Sequence, residues 1–194
     1  MAVRYHQRVR PAGEPMVKRF YVRAGIDAAR DLWGQEGLDD VRSRMPETER
    51  DEFFAERLPE WVSIRSMIAF NFALWEGPAN RNKARYFPWV RLTTDLSFGR
   101  VKRLFLSMAS PEKVVIKASE LWSADQTGGT FEGVLEGKGG RLVLRDHPYT
   151  ETPQARAGYA EMVRYIIELT RAEGVTETHS LVAPGVLEIR VRWR

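Results

Sequence analysis

Leu187-Glu188-Ile189-Arg190-Val191-Arg192-Trp193-Arg194 is the stretch whose reading decides the fold. In an extended chain successive side chains point to opposite faces. Leu187, Ile189, Val191 and Trp193 therefore share one face, and Glu188, Arg190, Arg192 and Arg194 share the other. One face is apolar and the other charged, which marks a strand with a buried side and a wet side. Working outward, Pro184-Gly185 is a turn that joins this strand to another over residues 176–182. Upstream, Thr152 caps and Pro153 opens a long helix, whose stripe is Tyr159, Met162, Val163, Ile166 and Leu169. Gly174 closes it. A second hairpin precedes the helix: residues 130–136 and 141–145 flank Gly137-Lys138-Gly139-Gly140. The result is a ββαββ module.

The text before residue 126 has a helical period. Ser110-Pro111-Glu112 combines a cap, an N1 proline and a first-turn acid, and it leads a helix to Trp122. Ser63 caps a helix through Trp75, with Ile64, Ile68, Phe72 and Trp75 on one face. A further helix spans Trp89 to Phe98, with Pro88 near its start, and residues 101–108 continue it as helix or kinked extension. Gly34 and Gly37 break an earlier helix, and residues 19–23 read as a short strand. The fold class is α+β, a helical N-terminal layer packed on a four-stranded antiparallel sheet. The expected organisation is a basic arm over residues 1–18 and a single domain over 19–194, helical to about residue 125 and ββαββ over 126–194.

Composition narrows the function classes. The 194 residues include no cysteine, which removes disulfides, thiol catalysis and cysteine-based zinc sites. A reducing cytoplasm is the natural setting. No apolar signal core follows Met1, and the most apolar stretch, Met67 to Trp75, is interrupted by Asn71 and falls short of the roughly 18 residues of a membrane span. A net charge of +4 is mild, and signs alternate along most of the chain.

The residues that could carry chemistry are sparse. His6, His147 and His179 are scattered, with no paired ligand spacing. No G-x-S-x-G elbow and no P-loop is present, and the glycine pairs belong to hairpins. The reading leans away from an enzyme and assigns no catalytic residue, metal or cofactor. Arg190, Arg192 and Arg194 form a basic face that invites nucleic acid, with Arg141 and Arg145 on the same expected sheet. The stacking aromatic such a face needs is missing, because Trp193 belongs to the apolar side. A wet face or protein-partner surface is the better reading. The rings of Trp61, Phe72, Trp75, Trp89, Phe98 and Tyr159 are the candidate lining of an apolar pocket, set against the alternative that they are core alone.

Several motifs carry a resemblance: Leu32-Trp33-Gly34-Gln35-Glu36-Gly37-Leu38, Ser110-Pro111-Glu112, Leu121-Trp122, Gly128-Gly129 before a strand, Ala157-Gly158-Tyr159, and Arg190-Val191-Arg192-Trp193. Together they resemble a paralogous family of functionally uncharacterised bacterial proteins expanded in myxobacteria, over roughly residues 20 to 194. That family is in turn similar to the vinyl-reductase-type ligand-binding domain, to haem–nitric-oxide-binding domains and to small TRAPP tethering subunits. The resemblance implies a helical layer on an antiparallel sheet, often dimeric, with an apolar cavity. It carries over no metal, for want of cysteine. It carries over no haem either, for want of a helical histidine and of a Tyr-x-Ser-x-Arg motif. The expected function is a cytoplasmic sensor or adaptor that binds a small apolar ligand and signals through dimerisation. The alternative is a tethering-type subunit without ligand, and a weaker one is nucleic-acid binding through the Arg face.

Overall fold

The computed structural model describes residues 13–194, with the side chains of residues 100–102 excepted. Most of the expected basic arm lies outside the described residues. Its last part does not stay an arm: Met16–Lys18 (β1) pairs antiparallel with Trp61–Ser63 (β2). This pairing takes the place of the strand expected over residues 19–23, which begin helix α1 (Arg19–Arg44) instead. α1 runs through Gly37 and kinks at Gly34, where φ is 70°. Glu47–Phe53 (α2) follows Pro46. Ile64–Glu76 (α3) begins at the predicted cap, where Ser63 Oγ accepts from the Arg65 backbone N–H.

Lys83–Met108 (α4) is longer than the sequence suggests and contains Pro88 in its second turn. Asn82 caps it, and Gly99 (φ 61°, ψ 179°) breaks its direction. That conformation is open essentially to glycine alone. The Ser110 start leads two short helices, Pro111–Ile116 (α5) and Ala118–Asp125 (α6), separated at Lys117.

The ββαββ module is as read: Thr130–Leu135 (β3), Gly139–Arg145 (β4), Pro153–Glu168 (α7), Thr176–Ala183 (β5) and Val186–Arg192 (β6). Thr152 Oγ1 accepts from the Ala155 N–H at the start of α7. The four strands form one antiparallel sheet in the order β3-β4-β6-β5. Leu187, Ile189 and Val191 of β6 are buried, with Trp193 beyond it, whereas Arg190 and Arg192 are exposed. The period of two thus translates directly into burial.

Two apolar cores result. One joins β1, β2 and the helices α1 to α4 around Phe53, Phe70, Tyr86 and Trp89. The other lies between α5, α6, α7 and the sheet, around Trp122, Phe131, Tyr159 and Trp193. Tyr149 and Met162 pack against both. Across the seam Arg91 of α4 donates to Glu161 Oε1 of α7 at 2.6 Å, and Tyr165 donates to Asp95 at 2.7 Å. No helix among the described residues is long and apolar enough to cross a membrane.

Candidate functional site

The second core is not filled. A cavity of about 330 Å³ lies between α4, α5 and α6 on one side and α7 and the sheet on the other. Three features of the sequence shape it. The Gly99 kink turns the last part of α4, so that Phe105 and Leu106 reach the cavity along with Phe98. The four-residue spacing of Lys113, Lys117, Leu121 and Asp125 lays one side chain per turn of α5–α6 along its wall. The α7 stripe supplies Tyr159, Met162, Val163 and Ile166 from the opposite side, above Phe131 and Leu142 of the sheet.

The deep wall is aromatic. Trp122 meets Tyr159 edge-on at 5.7 Å and lies tilted against Phe131 at 5.6 Å, and Tyr159 stacks on Tyr149 at 5.4 Å. Behind Trp122, and buried, stands His147 at 4.8 Å. Its Nδ1 accepts from the Tyr149 backbone N–H, and its Nε2 has no partner among the described residues. Burial pushes the imidazole pKa down to about 3, so the ring is neutral. Burial also holds the Tyr159 hydroxyl well above its ordinary value.

Polar groups sit at the two ends of the wall. At one end are Lys113 and Lys117, beside the exposed rings and chains of Phe105 and Leu121. Lys117 pairs with Glu120 at 2.6 Å. At the other end Tyr21 donates to Asp125 Oδ2 at 3.2 Å, and Lys18 lies 3.4 Å from Asp125 Oδ1. Burial, and then the Asp125 charge, raise the Tyr21 pKa well above its ordinary value. Beside them Gln126, 7% exposed, lines the cavity, and its Oε1, itself buried, has no hydrogen-bond partner among the described residues. Neither imidazole nor thiol lines the cavity among the described residues, and no cluster of three metal-ligating side chains occurs among them.

The sequence matches no protein-family model and no curated protein. Solved structures do match over nearly the whole chain. The Fe(II) unliganded H-NOX protein from K. algicida superposes with a TM-score of 0.60 at 8% identity, covering 91% of this chain and 96% of that one. An oxygen-binding H-NOX domain related to soluble guanylate cyclases, in its oxygen complex, gives 0.62 at 12% identity, with 91% and 95% covered. An H-NOX protein from S. oneidensis in the Fe(II)NO state gives 0.62 at 8%, with 91% and 99% covered. The fold is that of H-NOX domains.

Of the candidate residues from the sequence, two line the cavity, two belong to the helical core and two lie outside both cores. Phe98 and Tyr159 line the cavity. Trp75 packs edge-on against Tyr86, and Trp89 stacks on Tyr86 while its indole N–H donates to the Gly25 carbonyl, both in the helical core. Trp61 lies under the Lys18 ammonium on β2, and Phe72 is 48% exposed on α3. Sequence reasoning passed over Trp122, Phe131 and Gln126 as lining. The i, i+4 spacing from Lys113 to Asp125 is the signal that could have found that wall. On the charged face of the sheet, Arg190 pairs with Glu188 at 2.8 Å and Glu136 at 3.0 Å, Arg192 is exposed, and Arg194 packs over Gly174.

Proposed function

We propose that this chain is a non-enzymatic sensor or adaptor domain that holds a small apolar ligand between its helices and its sheet and signals through dimerisation. The cavity carries this reading. Its volume of about 330 Å³ falls at the lower end of the range of ligand pockets, roughly 300–1,000 Å³. Its wall is almost wholly apolar, so burial of an apolar ligand, worth roughly 25 cal/mol per Å², supplies the driving force. The wall belongs to elements from both ends of the chain, so filling it changes how α4–α6 sit on α7 and the sheet. Leu104, Phe105 and Met108 share an exposed apolar face of α4 and support an interface between copies. The absence of cysteine supports a cytoplasmic setting, and kinship with the myxobacterial paralogues is part of the same reading.

The H-NOX neighbours are Fe(II) and oxygen-binding proteins, so an iron porphyrin is the natural candidate to test against these residues. Such a group takes an axial imidazole, thiolate, thioether with a histidine partner, or phenolate. The described wall offers Met162 without a histidine beside it, and Tyr21 and Tyr159, whose hydroxyls burial keeps protonated. These donors do not fit haem. The ligand in this reading is an apolar organic molecule without iron.

The test is binding of 1-anilinonaphthalene-8-sulfonate, followed by fluorescence, to the wild type and to Ala109→Trp. Ala109 lines the cavity just beyond the end of α4, so the larger ring closes the space with little cost to the core. Saturable binding to the wild type and its loss in Ala109→Trp support the reading. Equal binding to both, or none to either, sinks it. Light scattering with and without the dye reads the dimer.

A further inference from the structure

The charged groups on the cavity wall are sorted by sign. At the deep end Asp125 is buried, accepts from Tyr21 and lies 3.4 Å from the Lys18 ammonium. At the mouth, marked by the exposed Phe105 and Leu121, stand the exposed Lys113 and Lys117. The main chain keeps these two in step. The Lys117 N–H donates to the Lys113 carbonyl at 3.0 Å, and the Leu121 N–H to the Lys117 carbonyl at 3.0 Å, so the turns continue through the break between α5 and α6. Lys117 pairs with Glu120. Lys113 makes no ion pair among the described residues. Glu112 beside it accepts from the Trp193 indole N–H at 3.2 Å and does not line the cavity.

A lysine stem lies along apolar surface while its ammonium stays in water. Both stems line the wall, so the ammoniums sit where the apolar space meets solvent. Two like charges four residues apart on a helix face repel, and Glu120 answers only one of them. An anion at the mouth relieves that repulsion and keeps its own water. At the deep end it would lose that water and meet Asp125. The cavity therefore orients an amphiphile in one sense, with the tail inward and an anionic head at the mouth.

We propose that the ligand is a single-chain carboxylate, whose head is held at the mouth by Lys113 and Lys117 and whose alkyl tail runs along α5–α6 to Trp122, Phe131 and Tyr159. This rests on the ligand-binding reading above and names its ligand class. From Lys117 to Asp125 the helix rises roughly 12 Å at 1.5 Å per residue, the reach of a tail of medium length. A volume of about 330 Å³ suits one such chain. The tail supplies most of the affinity, about fourfold per buried methylene. The lysines, as point charges in water, choose the sign of the head.

The experiment is isothermal titration of the full chain at low salt with decanoate, 1-decanol and decyltrimethylammonium, which share one tail and differ in head charge. In the wild type decanoate binds more tightly than decyltrimethylammonium, and octanoate binds about fifteenfold more weakly than decanoate. Raising NaCl to about 0.5 M narrows the gap between the two charged probes. In the double variant Lys113→Gln, Lys117→Gln decanoate weakens about threefold to tenfold, while unchanged 1-decanol binding reports an intact cavity. Decyltrimethylammonium binding the wild type as tightly as decanoate overturns the proposal without needing the variant. So does decanoate binding that is unchanged in the variant. In both cases the cavity stands as a ligand site and only the head is misassigned. Octanoate binding as tightly as decanoate puts the tail outside the cavity and also overturns it. Failure of all three ten-carbon probes to bind removes the ligand-binding reading itself, and this inference with it.

Discussion

Gly140 of β4 lies against Val115 of α5 so closely that a Cβ on the glycine would stand 2.6 Å from Val115 Cγ2. Gly133, on the neighbouring strand β3, likewise leaves no room for a Cβ beneath the Val115 carbonyl. α5 therefore rests on a patch of sheet from which side chains are missing. That contact sets the height of α5 and α6 above the sheet, and with it the width of the cavity they roof.

Gly133→Ala is expected to destabilise the fold by about 1–3 kcal/mol, as overpacking does. The neighbour is main chain and cannot rotate aside. Urea unfolding measures the loss, and dye binding should weaken in the same variant. A stability within about 0.5 kcal/mol of wild type would show that α5 is not seated as described.

Gly99 acts through its own backbone. Nothing stands within 4 Å of where its Cβ would be, yet its φ of 61° with ψ of 179° is strained for any L-residue. Gly99→Ala should cost about 1–3 kcal/mol or straighten α4. Straightening would carry Phe105 and Leu106 away from the cavity. Hydrogen exchange of residues 103–108 separates the two outcomes, and an unaltered protein would contradict the geometry.

His147 makes stability depend on acid. Its folded pKa, near 3, is depressed below the ordinary histidine value of about 6.5. The unfolded chain therefore binds a proton that the native ring refuses. Stability present above pH ~6.5 is lost as pH falls toward 3. Two pH units below the unfolded value the loss is about 3 kcal/mol. Thermal unfolding at pH 7.5 and 4.5 should show that loss in the wild type, and a much smaller one in His147→Asn, which does not titrate. Parallel losses in both proteins would rule out His147 as the cause.

Arg91 and Glu161 hold the seam between α4 and α7. Glu161 is 1% exposed, and Arg164 donates to it as well. Removing Arg91 leaves Glu161 with Arg164 as its remaining cation, so Arg91→Met should cost about 1–3 kcal/mol, the worth of a hydrogen bond to a buried charged group. Glu161→Gln should cost less in the Arg91→Met background than in the wild type. A double-mutant cycle with no coupling would show that the two groups act independently.

The parts of this molecule legible in the sequence are those decided over a few residues. The caps at Ser63, Ser110 and Thr152 work over two or three positions, and the alternation from Leu187 to Trp193 over two. Hairpin glycines and strand period sufficed for the four-stranded sheet. Residues 19–23 form the start of α1 and not the expected strand, because their β-forming side chains also suit a buried helix face. Which of the two they adopt depends on Met16–Lys18 meeting Trp61–Ser63, far away in the chain.

The cavity belongs to the other kind. Tyr21, Phe98, Asp125, Gln126, Phe131 and Tyr159 come from five different elements and the turn after α6, and no local period links them. Sequence alone could say that this chain has rings enough for a core. It could not say that Trp75 and Trp89 close one core while Phe98 and Tyr159 border an unfilled space in the other. Apolar burial is non-directional, so any ring can satisfy it in any core. An unfilled space between α4–α6 and the sheet exists only once both layers are in place, and that packing exists only in the tertiary structure.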